Sequence, residues 1–242
     1  MTSELINYSK KMPKKYRENF DYYNPNPDMI QHPFQVSIVG RTGCGKSTLL
    51  INMINQCKCF TKIIIYCKLT EEAMYRYLQD ELGDDNVIIT NDINDLPSLK
   101  DVKNYDEDEE KSPLVSWIND NEQILVVFDD CMTKKKQDKI VEYFSIGRKC
   151  NISSIYISQS YFKIPPVIRA NCRYFFIRGI NSKLTLRKIL SDKTIIHIDL
   201  LYKIYKDATE EKGSFFKIDC DTEPNKMFGR NFIKNYQVEQ DD

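Results

Sequence analysis

Long apolar runs are missing from this chain of 242 residues. Nowhere do about 18 consecutive apolar residues occur, the length a membrane-crossing helix needs, and the opening "MTSELINYSKKMPKKYRENF" has no apolar core of the kind a secretory signal carries. A soluble, intracellular protein without a membrane partner is expected. CxxC pairs and Cys/His clusters at zinc spacing are also absent, although there are eight cysteines, so reduced thiols are expected, with metal ligation by Cys57 and Cys59 the alternative. Repeats and low-complexity linkers are missing too. Net charge is zero, from 35 basic and 35 acidic side chains, but the signs are separated along the chain. Residues 92–110 hold eight acids and end in "DEDEE", read as a solvated loop, whereas residues 143–191 hold nine Lys or Arg and no acid. Basic surface suited to a polyanion is therefore expected in the second half.

A hydrophobic fraction of 41 % in a chain this long supports one sizeable core and leaves little room for two. Apolar runs at 34–39, 62–67, 87–90, 123–128, 152–158 and 173–178 read as buried strands. Helical patterns at 46–55, 70–82, 134–144, 182–190 and 195–206 alternate with or follow them. That alternation predicts an α/β fold built on a mainly parallel sheet flanked by helices. Pro13, Pro25, Pro27 and Pro33 mark residues 1–33 as a loop-rich arm, and 34–242 reads as a single domain closing in a strand or hairpin over 213–232.

Glycine is scarce, eight in all, yet three fall within residues 40–45, directly before a lysine. Gly40-Arg41-Thr42-Gly43-Cys44-Gly45-Lys46-Ser47 matches the phosphate-loop pattern GxxxxGK[ST] and lies between a predicted strand and a predicted helix. Glycines let such a loop curl until its backbone N–H groups face phosphate oxygens, and the following helix adds the positive end of its dipole. Lys46 is placed to reach the β- and γ-phosphates, Ser47 to offer its hydroxyl to Mg²⁺, and Thr48 to touch the α-phosphate. The strand "QILVVFDD" closes in two carboxylates: Asp129 for the Mg²⁺ ion, and Asp130 to orient or deprotonate an attacking water. An NKxD guanine-reading motif is absent, which points to ATP. The next strand, "NISSIYISQS", ends in Gln159. In a sheet of order 5-1-4-3-2 it lies between the phosphate-loop strand and the Asp129 strand, which sets Gln159 beside the γ-phosphate.

"VGRTGCGKSTLL", "ILVVFDD" and "GRKCNISSIYISQSYFKIPPVIRANCRYFFI" together resemble the poxvirus-type genome-packaging ATPases of the FtsK/HerA superfamily, as found in large DNA viruses and virophages. The resemblance spans about 34–178. It implies a RecA-like (ASCE) P-loop fold and a homo-oligomeric ring, a pentamer or hexamer. That ring would use ATP to thread double-stranded DNA into a preformed capsid through its vertex or portal, in the host-cell cytoplasm or viral factory, with association to the virion a further implication. It also directs attention to Arg148 as a finger entering the neighbouring subunit's site, with Arg169 and Arg173 as rivals. Lys134, Lys135 and Lys136, just after the paired acids, suit either a DNA-lined pore or a solvated helix start. Two other readings stay open: a segregation or conjugation pump of the same superfamily, and a P-loop nucleotide kinase.

Overall fold

The computed structural model describes residues 30–97, 99, 122–131, 137–191, 197–223, 225–232 and 234–237. In chain order the strands are β1 (Gln35–Gly40), β2 (Lys62–Cys67), β3 (Val87–Thr90), β4 (Ile124–Asp129), β5 (Ile152–Ser158), β6 (Tyr174–Arg178), β7 (Phe216–Asp219), β8 (Phe228–Arg230) and β9 (Lys234–Asn235). The α-helices are α1 (Lys46–Cys57), α2 (Ala73–Leu82), α3 (Gln137–Ile146), α4 (Pro166–Asn171), α5 (Lys183–Ser191) and α6 (Ile198–Ala208).

Among the described residues all strands join one sheet, of order β3-β2-β4-β5-β1-β6-β7-β8-β9. The first six of these are parallel, and β7, β8 and β9 extend the sheet in antiparallel fashion. A strand covered on both faces has no reason to alternate apolar with polar residues, and this is why β2 and β4 are nearly continuous apolar runs, while β1 and β5 are buried along their whole length even at Gln35, Ser37, Ser153, Ser154 and Ser158. Val36, Ile38, Leu125 and Val127 face one core with Leu50, Met53 and Ile54 of α1 and Tyr75 and Leu78 of α2. Val39, Val126 and Phe128 face the other, with Tyr143 and Phe144 of α3, Ile168 of α4, Leu186 of α5 and Leu201 of α6.

The expected five-strand order is present at the centre as β6-β1-β5-β4-β2, but it omits Val87–Thr90, which adds an edge strand beyond β2. The 213–232 segment is the hairpin of the two alternatives, β7 and β8 paired antiparallel, and β9 pairs onto β8. Helix α2 starts at Ala73, not residue 70, and the last helix runs Ile198–Ala208. Helix α4 was hidden by its two prolines. Pro166 occupies the first turn, where the missing N–H costs nothing and the fixed φ suits a helix. The acidic "DEDEE" run, Lys134, Lys135, Lys136 and most of the N-terminal arm lie outside the described residues.

The last residues of that arm are not loosely held. Ile30 is buried, and His32, with no exposed surface, is clamped between the start of β1 and the turn into β5. Its Nε2–H donates to Asn151 Oδ1 (3.0 Å), its Nδ1 lies 2.8 Å from the Ser153 hydroxyl, and that same oxygen accepts the Phe34 N–H at 3.0 Å. Only a neutral imidazole can both donate and accept here, and burial lowers its pKa to about 4. The folded pKa lies below the unfolded one, so the unfolded chain takes up a proton first as pH falls. Stability therefore drops between pH 6.5 and 4, by about 3 kcal/mol at most for a shift of this size. Denaturant unfolding at pH 7.5 and 4.5 should show His32→Gln, which cannot titrate, losing about 2 kcal/mol less than wild type over that interval. Equal losses would show that His32 does not set the acid sensitivity.

Candidate functional site

β1 ends at Gly40 and α1 begins at Lys46, so the glycine-rich segment is the turn from a central strand into a helix. Gly43 and Gly45 have φ of 75° and 94°, a region that costs a β-carbon about 1–2 kcal/mol per residue. Gly40 has a different constraint: a β-carbon there would lie 2.9 Å from the Arg178 carbonyl oxygen of β6 and against the Cys44 sulfur. The 12-residue helix α1 has no side-chain cap bond at its start and no acid in its first turn. Its leading N–H groups are free to face an anion. Lys46 Nζ donates to the Arg41 carbonyl at 3.3 Å and so folds back over the loop.

Two strands away, β4 delivers Asp129 at the same edge of the sheet. Asp129 is in register with Ile157 of β5, and Val39 of β1 with Ser158. Gln159 follows immediately and is exposed between the loop and the acids. Neighbouring parallel strands sit about 4.8 Å apart, so the phosphate loop and Asp129 flank Gln159 across roughly 10 Å. Asp130 turns back with φ 51°, a conformation Asp tolerates better than most residues, and its N–H donates to the Ile157 carbonyl at 3.4 Å. One of its carboxylate oxygens is buried and accepts no hydrogen bond among the described residues. Such an atom is rare enough to ask what it is for.

Two residues that sequence reading missed complete the group. The Tyr75 hydroxyl donates to Asp129 Oδ2 at 2.6 Å, and the Ser47 hydroxyl donates to Glu72 Oε1 at 3.0 Å. Burial pushes the Asp129 carboxyl above its ordinary range. The Tyr75 hydrogen bond and the Lys46 charge oppose that rise, while the charges of Glu72 and Asp130 add to it. In sequence both fall within the helical pattern at 70–82, and the one local signal is their spacing of three residues, which sets them on one helix face.

The arginines separate by edge. Arg148 lies in the turn before β5 and Arg173 just before β6, both at the end of the sheet opposite the phosphate loop. They line one small pocket with Asn171, Cys220 and Asp221. Arg173 is held by Asp219 (3.2 Å) and Asp221 (3.3 Å), and Arg169 stacks over the Tyr161 ring with its guanidinium 4.8 Å from the centroid. Arg148 is exposed and forms no ion pair among the described residues. The acid-free segment therefore does not form one basic face. Arg148, Lys149 and Arg173 sit at one end of the sheet, Lys163 follows the other, Arg178 donates to carbonyls of the 211–214 turn, and Lys183 pairs with Asp199.

Mg²⁺ takes few protein ligands, drawing the rest from phosphates and water. The donor set fits that chemistry: a hydroxyl on Ser47 and a carboxylate on Asp129 at one sheet edge, and no cluster of three or more His, Cys, Asp or Glu among the described residues that would cage an ion alone. On the other flank of the loop a cavity of about 1230 Å³ is lined by Thr42, Arg178, Asn181, Tyr205 and Asp207 among others. It is large enough for the remainder of a nucleotide.

The profile of the Poxvirus A32 protein family matches residues 19–212. No curated protein sequence matches the chain. Among solved structures it is similar to the genome packaging NTPase B204 of Sulfolobus turreted icosahedral virus 2 in complex with AMPPCP. That match has a TM-score of 0.55 and 16 % identity and covers 86 % of this chain and 99 % of that one. B204, the DNA-packaging ATPase from Sulfolobus turreted icosahedral virus, gives TM-score 0.50, 17 % identity and coverage of 84 % and 98 %. The cytoplasmic domain of the Thermomonospora curvata Type VII secretion ATPase EccC gives 0.51, 18 %, 86 % of this chain and 26 % of that one. Identities this low speak for the fold.

The crowding at Gly40 is directly testable. Gly40→Ala must move the end of β1 away from β6 and should lose about 1–3 kcal/mol in denaturant unfolding. Gly147→Ala, whose β-carbon would meet nothing nearer than 3.7 Å, should stay within about 0.5 kcal/mol of wild type. Equal effects would mean that the β1–β6 approach is not tight.

Proposed function

The chain belongs to the Poxvirus A32 protein family, and from that premise we propose that it is an ATPase that drives double-stranded DNA into a viral capsid. The observation that carries this reading is the convergence of the phosphate loop, Asp129, Asp130 and Gln159 on one edge of the sheet. The genome-packaging role of B204 in the two Sulfolobus viruses supports it.

The loop amides from Gly40 to Gly45, with Arg41, Thr42 and Cys44 lining it, take the phosphates; Lys46 binds the β- and γ-phosphates and Thr48 the α-phosphate. Ser47 and Asp129 would hold Mg²⁺, whose charge would offset that of the β- and γ-phosphates. Asp130 orients a water and accepts its proton as the water oxygen bonds to the γ-phosphorus. The bond to the β,γ-bridging oxygen breaks, releasing ADP and inorganic phosphate. Gln159, between the two halves of the site, contacts the γ-phosphate and changes partner when it leaves. Arg148 stands at the far edge and cannot serve its own loop, so it acts on a neighbour in a ring of five or six copies. Duplex DNA is gripped through phosphates, the capsid vertex is the receiving partner, and the infected cell is the setting.

Lys46→Ala should abolish ATP binding, while Asp130→Asn should bind ATP within a fewfold of wild type and lose hydrolysis by about 10²–10⁴-fold. Equally poor binding by both would remove Asp130 from catalysis. Duplex DNA should stimulate wild-type hydrolysis, with no preference between a given sequence and its scramble. Binding should weaken steeply with salt, log K falling by about 0.9 per phosphate contact for each decade of salt. A salt-independent or sequence-specific interaction would contradict phosphate-based gripping.

Arg148 is tested by mixing subunits. Arg148→Ala and Lys46→Ala proteins, each nearly inactive, should regain hydrolysis when combined, because a Lys46→Ala subunit lends its arginine to the intact site next door. Arg148→Ala alone should lose on the order of 10³-fold in turnover while binding ATP normally. Absence of both complementation and poisoning of wild type at every ratio would exclude the trans role.

A further inference from the structure

Glu72 is the residue preceding helix α2, in the N-cap position, with extended backbone (φ −64°, ψ 122°). A side chain in that position ordinarily turns back to accept an N–H of its own helix, and Ser, Thr, Asp or Asn do so best. Here no such bond forms. The Glu72 carboxylate instead crosses to α1 and accepts the Ser47 hydroxyl at 3.0 Å. Three residues later, Tyr75 is fully buried and packed in the α1–α2 core. A phenylalanine would fill that space equally well, but the hydroxyl reaches Asp129 Oδ2 at 2.6 Å. One face of one helix thus supplies a hydrogen-bond partner to each of the two side chains assigned to the cation.

From this geometry, and resting on the assignment of Ser47 and Asp129 to Mg²⁺, we infer that Glu72 and Tyr75 are positioning residues that set the affinity of the site for its divalent ion. A serine hydroxyl binds a cation through an oxygen lone pair. By accepting the hydroxyl hydrogen, Glu72 rotates that hydrogen toward α2 and leaves the lone pairs for the metal. By donating to one carboxylate oxygen, Tyr75 fixes the Asp129 rotamer and leaves the other oxygen free. Neither residue touches the ion. Groups one step removed from a metal act in this way, and their removal commonly costs 10–100-fold in affinity.

The test measures metal binding without turnover. Full-length wild type, Glu72→Ala, Glu72→Gln and Tyr75→Phe are saturated with a non-hydrolysable ATP analogue and titrated with Mn²⁺, the free ion being followed by electron paramagnetic resonance. Analogue binding in EDTA is measured alongside with a fluorescent derivative. Glu72→Ala and Tyr75→Phe should weaken Mn²⁺ by 10–100-fold and leave metal-free analogue binding within about twofold. Glu72→Gln retains a carbonyl oxygen that can accept the Ser47 hydrogen, so it should stay within about threefold of wild type. Unchanged Mn²⁺ affinity in Glu72→Ala and Tyr75→Phe overturns the inference. So does a Glu72→Gln loss as large as that of alanine, which would make charge and not orientation the cause. So does an equal loss of metal-free binding, which would reveal general damage to the loop. If wild type itself bound no Mn²⁺ with the analogue, the assignment of Ser47 and Asp129 would fail first, a result distinct from any of these.

Discussion

Parallel pairing of β1, β5 and β4 is the constraint from which the site follows. Each strand begins at one end of the sheet and stops at the other, and their registers, Val39 with Ser158 and Asp129 with Ile157, align their ends. Three segments far apart in sequence therefore release their next residues into the same strip of surface: the phosphate loop, Gln159 and the paired acids. The pairing is held by burial on both faces, where each fully buried Val, Ile or Leu is worth about 1.5–3 kcal/mol. The polar groups that follow the carboxyl ends of these strands are the ones that water and ligands can reach.

The same parallel geometry separates the two ends chemically. Residues that enter β5 and β6, Arg148 and Arg173 among them, lie at the end opposite to residues that leave β1 and β4. A chain of this design has its phosphate-binding loop at one end and, at the other, an arginine that forms no ion pair among the described residues. Head-to-tail packing of copies joins such ends, and closure of a heterologous interface gives a ring. The ring proposed above would join such ends.

What could be read from the sequence divides along a physical line. β2 and β3 match their apolar runs residue for residue, and the runs for β1, β4 and β6 agree to within one residue at each end, because parallel strands buried on both faces leave uninterrupted apolar stretches. The phosphate loop was legible because its glycines are demanded by local backbone geometry. Glu72 and Tyr75 were not, since their importance lies in contacts to Ser47 and Asp129, 25 and 54 residues away, that no local pattern records. The basic segment was legible as composition but not as placement. A run without acids predicts basic surface in the second half, and only the strand passing through it shows that Arg148 and Lys163 go to opposite ends of the sheet. Helix α4 was missed because prolines read as breakers unless the first turn is recognised as their place.

The central claim is that phosphate chemistry at this sheet edge moves duplex DNA, and movement itself is the quantity to measure. A short third strand annealed to a duplex as a triplex is displaced by any motor that tracks along the duplex. The assembled wild-type protein should release the third strand at a rate that depends on ATP, with the delay before release growing in proportion to the distance between the loading end and the triplex. Asp130→Asn, still loaded with ATP, should release none. Hydrolysis stimulated by duplex DNA without ATP-dependent release of the third strand would contradict the account, leaving a DNA-responsive ATPase that is not a translocating motor.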